Sequence, residues 1–436
     1  MKEYYTINEV AVMTGFTTRS LRLFIQQGFL EGEKIDGKWS FTVEQLEAFI
    51  SNPNIKAGIK IKNNALVYDF LADFEKSENK TCIILDFHIS SNEEFIGREW
   101  LFYGAGCFPK RKFTQDMVVV KNVLRITKQL KNSVTIYPEA RYSLIGINER
   151  IDDTLGKLVK AANVAAVVMI TNGNFIHQPQ WRKKYKMNNP HEITFKCVAT
   201  KEEVQSLSAE EIQARIEENF VYDDYKWQLD NKIKIKSKYR AQNIHQVLYK
   251  CPHCGKDYTM CSEGINIWCS NCQINYEMNE YGQLRCTNGA SKFTHAPDWY
   301  RWERDEVIKE VQNGTYYFED EVRLEHLVNY QMGYREIGTV KFVHDMQGIH
   351  LHGTLLNGEA FDFDNNPLNT PSIHIDYNYK KRGTVKRGQA IDINTINDTW
   401  FIFPKTPNEV VTKIHFATEA LYDFWSKNEK INIVCG

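Results

Sequence analysis

Hydrophobic and polar residues recur with different periods along the chain, and the changes of period predict several folding units. Residues 1–52 show helical spacing in three short stretches, and residues 37–41 (Gly-Lys-Trp-Ser-Phe) favour a β-ribbon. Residues 98–230 alternate between strand and helix patterns, which is typical of an α/β domain. Residues 315–436 contain short alternating runs and end in a helical stretch, residues 410–425, which predicts a β-rich domain with a C-terminal helix.

Composition narrows the class of protein. The 436 residues are 42% hydrophobic and 25% charged, which is globular composition and enough chain for about two to four domains. The net charge of −1 gives no overall field that would attract a charged partner. No apolar run reaches the ~18 residues of a membrane span. Ten cysteines, four of them in two Cys-x-x-Cys pairs, suit a reducing compartment. We therefore expect a soluble cytoplasmic protein.

The N-terminal unit predicts a helix-turn-helix followed by a wing. Thr6 and Thr17 can cap two short helices that end near Gly15 and Gly28. In such a motif the second helix enters the major groove of double-stranded DNA by its N-terminal residues, and the ribbon lies beside it. The candidate DNA-contacting residues are Thr17, Thr18, Arg19, Arg22, Lys38 and Trp39.

Residues 5–7 (Tyr-Thr-Ile), 15–19 (Gly-Phe-Thr-Thr-Arg) with Arg22, and 28–30 (Gly-Phe-Leu) resemble the winged helix-turn-helix of the MerR family of regulators. The resemblance covers about 50 residues and implies DNA as a partner. However, residues 1–52 contain five basic and seven acidic residues, so they lack the basic excess behind most nonspecific DNA affinity. A protein-contact module of the same fold stays an alternative.

The central region places polar residues at a predicted strand end. Residues 53–97 predict a linker and a short α/β segment, with a buried strand at residues 82–87. Between residues 98 and 131 there are eight basic and two acidic residues, including the cluster at residues 110–112. A strand at residues 134–137 runs into Pro-Glu-Ala-Arg-Tyr-Ser at residues 138–143. Ligands of α/β sheets bind at carboxyl ends of strands, although a solvated turn and a surface ion pair are the alternatives.

Three blocks in this region resemble the glycerophospholipid acyltransferase family: residues 104–111, 137–143 and 163–169. The resemblance implies acyl transfer from an acyl-CoA or acyl-carrier-protein thioester to a lysophosphatidate-like acceptor. By resemblance, the glycerol phosphate would be held by Arg111, Glu139, Arg141 and Ser143. Separately, the basic residues 380–382 and 386–387 could contact anionic lipid headgroups at the inner face of the membrane, with a solvated turn as the alternative.

The family's first block, His-x4-Asp, has only a degenerate counterpart. His88 is the upstream candidate for the base, and Glu93, five residues later, is the candidate for the carboxylate that orients it. By resemblance, His88 would deprotonate the glycerol hydroxyl that attacks the thioester. The degenerate block predicts impaired catalysis. The alternative is a DNA-binding regulator whose acyltransferase-like body senses a ligand without turnover.

The two Cys-x-x-Cys pairs predict a zinc ribbon at residues 245–290. Cys251 and Cys254 precede Cys269 and Cys272 by a spacer of fourteen residues. Two such knuckles place four thiolates tetrahedrally around zinc, which leaves no open coordination position and indicates a structural ion. A redox pair of dithiols and a ribbon without metal are the alternatives.

The C-terminal region predicts antiparallel strands capped by one helix, which suits a small barrel of the pleckstrin-homology kind. His350, His352 and His374 suggest a metal cluster. Strand alternation also produces such polar edges, so this cluster stays a hypothesis.

Overall fold

The protein divides into two units. The computed structural model describes residues 4–14, 18–26, 28–51, 82–86, 112–113, 117–177, 179–182, 190–329, 333–380, 387–395, 398–406 and 409–435. The first unit comprises residues 1–69, 90–110 and 329–333. The second comprises residues 70–89, 111–328 and 334–436. The chain is therefore multidomain, as its changing periodicity predicts.

Within its described residues, the first unit contains three helices and a three-stranded antiparallel sheet of order β1-β3-β2. Its elements are β1 (Tyr5–Thr6), α1 (Ile7–Thr14), α2 (Thr18–Gln26), β2 (Glu33–Ile35), β3 (Lys38–Phe41) and α3 (Val43–Ser51). The helices and the hairpin lie where the sequence pattern places them. They enclose a small core that includes Val10, Leu21, Leu30, Phe41, Leu46 and Phe49.

Capping boxes start two of these helices. The Thr6 backbone N–H donates to Glu9 at 2.9 Å, and the Glu9 N–H donates back to the Thr6 hydroxyl at 3.4 Å. Thr42 and Gln45 repeat the arrangement at α3, with distances of 3.0 and 3.3 Å. Each box satisfies backbone donors that the first helical turn cannot pair.

The second unit begins with a mixed sheet of order β5-β4-β6-β7. Its strands are β4 (Cys82–Asp86), β5 (Val134–Ile136), β6 (Ala165–Asn172) and β7 (Glu192–Ala199). β4 pairs in parallel with both β5 and β6, whereas β7 is antiparallel to β6. The predicted boundary between residues 97 and 98 therefore needs correction, because β4 supplies a central strand of the α/β sheet. A near-continuous apolar run in β6 fits a strand covered on both faces.

Among the described residues, the α-helices that accompany this sheet are α4 (Met117–Leu124), α5 (Leu155–Ala162), α6 (Asn174–His177), α7 (Lys201–Ser206), α8 (Ala209–Asn219) and α9 (Asp224–Asp230). α5 and α8 pack closely at Gly156, where an added Cβ would lie 2.1 Å from the Ala209 carbonyl oxygen. Thr200 and Ser208 close capping boxes at the starts of α7 and α8.

A four-stranded antiparallel sheet of order β11-β10-β9-β8 follows. Its strands are β8 (Met260–Glu263), β9 (Asn266–Cys269), β10 (Asn275–Met278) and β11 (Leu284–Cys286), and α10 (Ala296–Gln312) comes next. Cys251, Cys269, Tyr276 and Trp299 belong to the same large core as α10 and the C-terminal region. The cysteine-bearing sheet is thus packed into the second unit.

The C-terminal region is a seven-stranded antiparallel sheet of order β15-β14-β13-β12-β18-β17-β16. Its strands are β12 (Phe318–Asn329), β13 (Gly333–Asp345), β14 (Gly348–Leu355), β15 (Ala360–Asn365), β16 (His374–Lys380), β17 (Arg387–Asn394) and β18 (Thr399–Pro404). A long helix, α11 (Val411–Cys435), completes it. Antiparallel strands with one C-terminal helix are confirmed. His374 lies on β16, at the opposite end of the strand order from β14 and β15.

α11 has 25 residues, but its sequence is too polar for a membrane span. The buried stretch of α11 includes His415, Thr418 and Glu419. In the part of the chain that the structure describes, no helix is long and apolar enough to cross a bilayer.

Candidate functional site

Four cysteine thiols converge beside the four-stranded sheet. The Sγ atoms of Cys251 and Cys272 are 3.6 Å apart, and those of Cys254 and Cys269 are 3.8 Å apart. A tetrahedral ion with Zn–S bonds of about 2.3 Å holds its sulfurs at roughly 3.8 Å from one another, so the spacing matches a metal site. It is far longer than the ~2.05 Å of a disulfide bond. The four thiols could therefore hold a metal ion such as zinc.

The same backbone turn positions both thiol pairs. The carbonyl oxygen of Cys251 accepts from the Gly255 N–H at 2.9 Å, and that of Cys269 accepts from the Gln273 N–H at 3.0 Å. Gly255 and Gln273 both have left-handed backbone angles, with φ of 70° and 61°. This turn directs backbone N–H groups towards the first thiol of each pair, and the Cys272 N–H lies 3.5 Å from the Cys269 sulfur.

At Cys269 these contacts favour a thiolate, which is the form that binds metal, whereas burial raises the pKa of the Cys251 thiol. Burial opposes ionisation of Cys269, but the Cys272 N–H and the Thr259 hydroxyl lower the pKa of its thiol to about 6. Cys251 and Cys269 are themselves buried, so a bound ion would be shielded from solvent on that side. With four protein ligands the site has no position left for a substrate.

The segment that resembles the acyltransferase third block leads into a buried network of charged groups. Glu139 and Arg141 follow the end of β5 and are only 2% and 1% exposed. The Glu139 carboxyl accepts from the Glu149 N–H at 2.6 Å. Desolvation raises the pKa of Glu139 to about 8, so its carboxyl is mostly protonated at pH 7.

Two arginines and two glutamates form the centre of this network. Arg141 donates to Glu419 at 2.8 Å and to Glu149 at 3.4 Å. Arg304 donates to the same two carboxylates, at 2.7 Å to Glu419 and 2.6 Å to Glu149. Arg141 also donates to the Ser372 hydroxyl. The two positive charges balance the two negative ones.

This balance leaves little attraction for a ligand of either sign. A phosphate beside Arg141 would face both Glu149 and Glu419. Glu149, His415 and Glu419 are close enough to share a metal ion, but the two guanidinium groups already occupy the carboxylates and would repel a cation. The network is best suited to hold distant segments together.

The remaining predicted substrate residues are also engaged or lie elsewhere. The Ser143 hydroxyl donates to the Ile147 carbonyl at 2.6 Å and accepts from the Gly146 N–H at 2.9 Å. Lys112, from the basic cluster, is 5% exposed and pairs with the buried Asp392 at 3.3 Å. A solvated turn is therefore not the environment of Lys112. His88, Glu93 and Arg111 lie outside the described residues.

The open cavity beside the network is acidic. It has a volume of about 290 Å³, and its lining includes Glu149, Asp153 and Glu217 with Arg150 as the basic side chain. A phosphate-bearing ligand would meet mostly negative charge there. The described contacts of Glu139, Arg141 and Ser143 are all made with other groups of the protein. Phosphate binding by these residues therefore stays a prediction from the resemblance.

The candidate DNA-contacting residues are described in part. Leu21 on α2 is buried in the core of the first unit, whereas the neighbouring Arg22 is exposed. Lys38 is exposed on the hairpin, and Trp39 is half-buried with the Lys34 ammonium 5.3 Å from its ring centroid. Thr18 is half-buried at the start of α2. Thr17 and the Arg19 side chain lie outside the described residues.

Comparisons with known proteins add no family assignment. The chain matches no protein-family model, and it has no match among curated proteins or among solved structures. Its function therefore has to be inferred from its own residues and their geometry.

Sequence reasoning missed the other members of the Arg141 network. Glu149 lies eight residues away, but Arg304 and Glu419 come from α10 and α11 and have no local pattern that links them to residue 141. One available signal was Glu419 itself, a carboxylate between the apolar residues Phe416, Ala417, Ala420 and Leu421, which indicates a buried counter-charge.

The network makes Arg141 a stability residue. We expect Arg141→Ala to lower the free energy of unfolding of the second unit by about 3–5 kcal/mol, because it leaves buried carboxylates without one of their counter-charges. Denaturant unfolding followed by tryptophan fluorescence measures the change. Arg301→Ala is the control, since Arg301 forms only an exposed pair with Asp298 and its loss should change stability by at most about 0.5 kcal/mol. Equal effects of the two substitutions would show that the network does not stabilise the fold.

The cysteine cluster should hold one metal ion per chain. Metal analysis of protein purified under reducing conditions should find stoichiometric metal in wild type and in Cys261→Ser, because Cys261 is not among the four clustered thiols. Cys254→Ser should lose most of the ion, since binding to such sites is worth on the order of 10 kcal/mol and depends on all four thiolates. Metal-free wild-type protein would contradict this expectation.

Proposed function

We propose that the second unit is an acyltransferase-like body of glycerophospholipid metabolism, which uses a thioester donor and a lysophosphatidate-like acceptor. The observation that supports the proposal is the parallel pairing of β4 with β5, in which Leu85 lies opposite Ile136. Parallel neighbours end at the same edge of a sheet. The segments with His88 and with Glu139 follow those two strand ends in the chain, and this edge is where α/β sheets bind their ligands.

The described contacts change which residues carry the proposed chemistry. We assign Arg141 and Glu139 a structural role, because their polar groups are buried and hydrogen-bonded within the protein. Arg111 then becomes the main candidate for the acceptor phosphate. His88 stays the candidate general base and Glu93 its orienting carboxylate.

In this proposal His88 removes the proton from the acceptor hydroxyl as that oxygen attacks the thioester carbonyl. The C–S bond breaks and the thiol leaves with a proton. We assign zinc to the four thiols as a structural ion, outside the reaction. The zinc assignment is supported by an all-sulfur tetrahedral ligand set, which zinc prefers.

A thioester-consumption assay with lysophosphatidate tests the proposal. We expect His88→Ala to lower the rate by about 10²–10⁴-fold, the usual effect of losing a general base. His191→Ala, an exposed histidine next to β7, is the matched control and should keep the wild-type rate.

The other outcomes are equally informative. Turnover that survives His88→Ala would place the base elsewhere. Wild-type protein that binds lysophosphatidate without consuming thioester would refute the enzyme and leave a ligand sensor.

We also propose that the first unit is a winged helix-turn-helix that contacts double-stranded DNA. The specific observation is the order of its elements, with Arg22 exposed on α2 and Lys38 exposed on the following hairpin. The exposed acidic residues Glu31, Glu33 and Asp36 lie in or next to the same hairpin and add negative charge to it. Affinity would therefore have to come from groove contacts at a specific site, since phosphate attraction is weak here.

Arg22→Ala should weaken binding to a selected duplex by about 1–3 kcal/mol, because it removes a predicted groove contact. Fluorescence polarisation with a duplex enriched from a random pool measures the change. Lys226→Ala removes the same charge from an exposed pair in the second unit and should have no effect. If no duplex is retained even at low salt, the unit is a protein-contact module instead.

A further inference from the structure

Two histidines and three aspartates gather on one face of the seven-stranded sheet. His350 and His352 are two residues apart on β14, so strand alternation places both on the same face. The pairing register sets His350 opposite Asp364 and His352 opposite Asp362 on β15. β15 is at the end of the strand order, so this face lies at a sheet edge.

One carboxylate lies between the two imidazoles. The Asp364 Oδ1 atom is 2.5 Å from His350 Nδ1 and 3.3 Å from His352 Nε2. The two rings are nearly parallel, with centroids 6.2 Å apart. All three donor atoms lie within 4.8 Å of one another. Neighbouring ligands of an ion with bonds of about 2.0–2.2 Å are roughly 3 Å apart, so small side-chain shifts would admit an ion between them.

The second nitrogen of each ring faces a different carboxylate. His352 Nδ1 is 2.9 Å from Asp362, and His350 Nε2 is 3.5 Å from Asp345. Histidines that bind metals generally donate their other N–H to a carboxylate or carbonyl, which fixes the tautomer and the ring orientation. Here both rings have that partner and both direct their remaining nitrogen towards the shared Asp364.

Ordinary histidine–aspartate pairing does not explain this arrangement. His326 on β12 forms such a pair with Asp398 at 3.1 Å, and it belongs to none of the three-ligand groups in the described chain. At β14 and β15, by contrast, two imidazoles share one carboxylate. The His350 and Asp364 side chains are 22% and 64% exposed, so an ion and its water ligands can enter from solvent.

We propose that His350, His352 and Asp364 bind a divalent late transition-metal ion, with Asp362 and Asp345 orienting the two rings. Two imidazoles and one carboxylate suit Zn²⁺, Ni²⁺ or Cu²⁺ better than Mg²⁺ or Ca²⁺, which prefer all-oxygen sites. The site is separate from the four cysteines. It has open positions for water, so the ion exchanges more readily than one held by four thiolates.

Calorimetric titration of the as-purified full chain with Ni²⁺ tests the site. We expect one Ni²⁺ per chain to bind without release of the metal already held by the cysteines. His352→Gln should weaken Ni²⁺ binding by at least tenfold, and Asp362→Asn by about 10- to 100-fold, as for other orienting carboxylates. His326→Gln is the matched control and should bind as wild type does.

Three results would overturn the proposal. The first is no Ni²⁺ binding to wild type at submillimolar concentrations. The second is binding that His352→Gln and His350→Gln both leave unchanged, which would place the ion elsewhere. The third is Ni²⁺ uptake matched by loss of the metal from the cysteines, which would show exchange at that site alone.

Discussion

The salt-bridge network around Arg141 is the constraint on which the second unit depends. It joins the turn after β5, α10, the segment before β16 and α11, through Arg141, Arg304, Ser372 and Glu419. Buried ion pairs are weak as a net source of stability because desolvation offsets the attraction. Their loss on one side is severe, however, because the remaining charge stays buried. The network therefore specifies one arrangement of segments that are distant in the sequence.

The protonation of Glu139 completes that balance. A third ionised carboxylate beside Glu149 and Glu419 would leave an excess negative charge in the interior. Burial raises the pKa of Glu139 to about 8, whereas the charge of Arg141 overcomes burial and lowers the pKa of Glu419. The folded state binds the Glu139 proton more tightly than the unfolded chain does. The contribution of this proton to the free energy of unfolding is complete below about pH 4.5 and is lost as pH rises through about 8.

Local patterns predicted the local parts of the structure, and long-range pairing set the rest. The four cysteines were identifiable because two short spacings determine two identical turns, and helices α1 to α3 follow from caps and helical periodicity. The role of Arg141 could not be predicted, because Arg304 and Glu419 reach it only through the packing of α10 and α11. The environment of His350 and His352 depends on the register of β14 with β15. That register sets Asp364 opposite, and His374 lies on the other edge strand.

The pairing of Arg141 with buried carboxylates also limits where a ligand can bind at this edge of the sheet. A Glu-Ala-Arg segment at the end of a parallel strand is well placed for an anion, yet here its charges are neutralised from within. The strand end can still help to position reacting groups. The buried network holds β5 in place, and β5 pairs directly with β4. An anion at this edge would then have to be held by side chains outside the salt-bridge network. In the proposed function, the base and the phosphate-binding residue are therefore His88 and Arg111, while the buried network stabilises the strand end that carries Glu139 and Arg141.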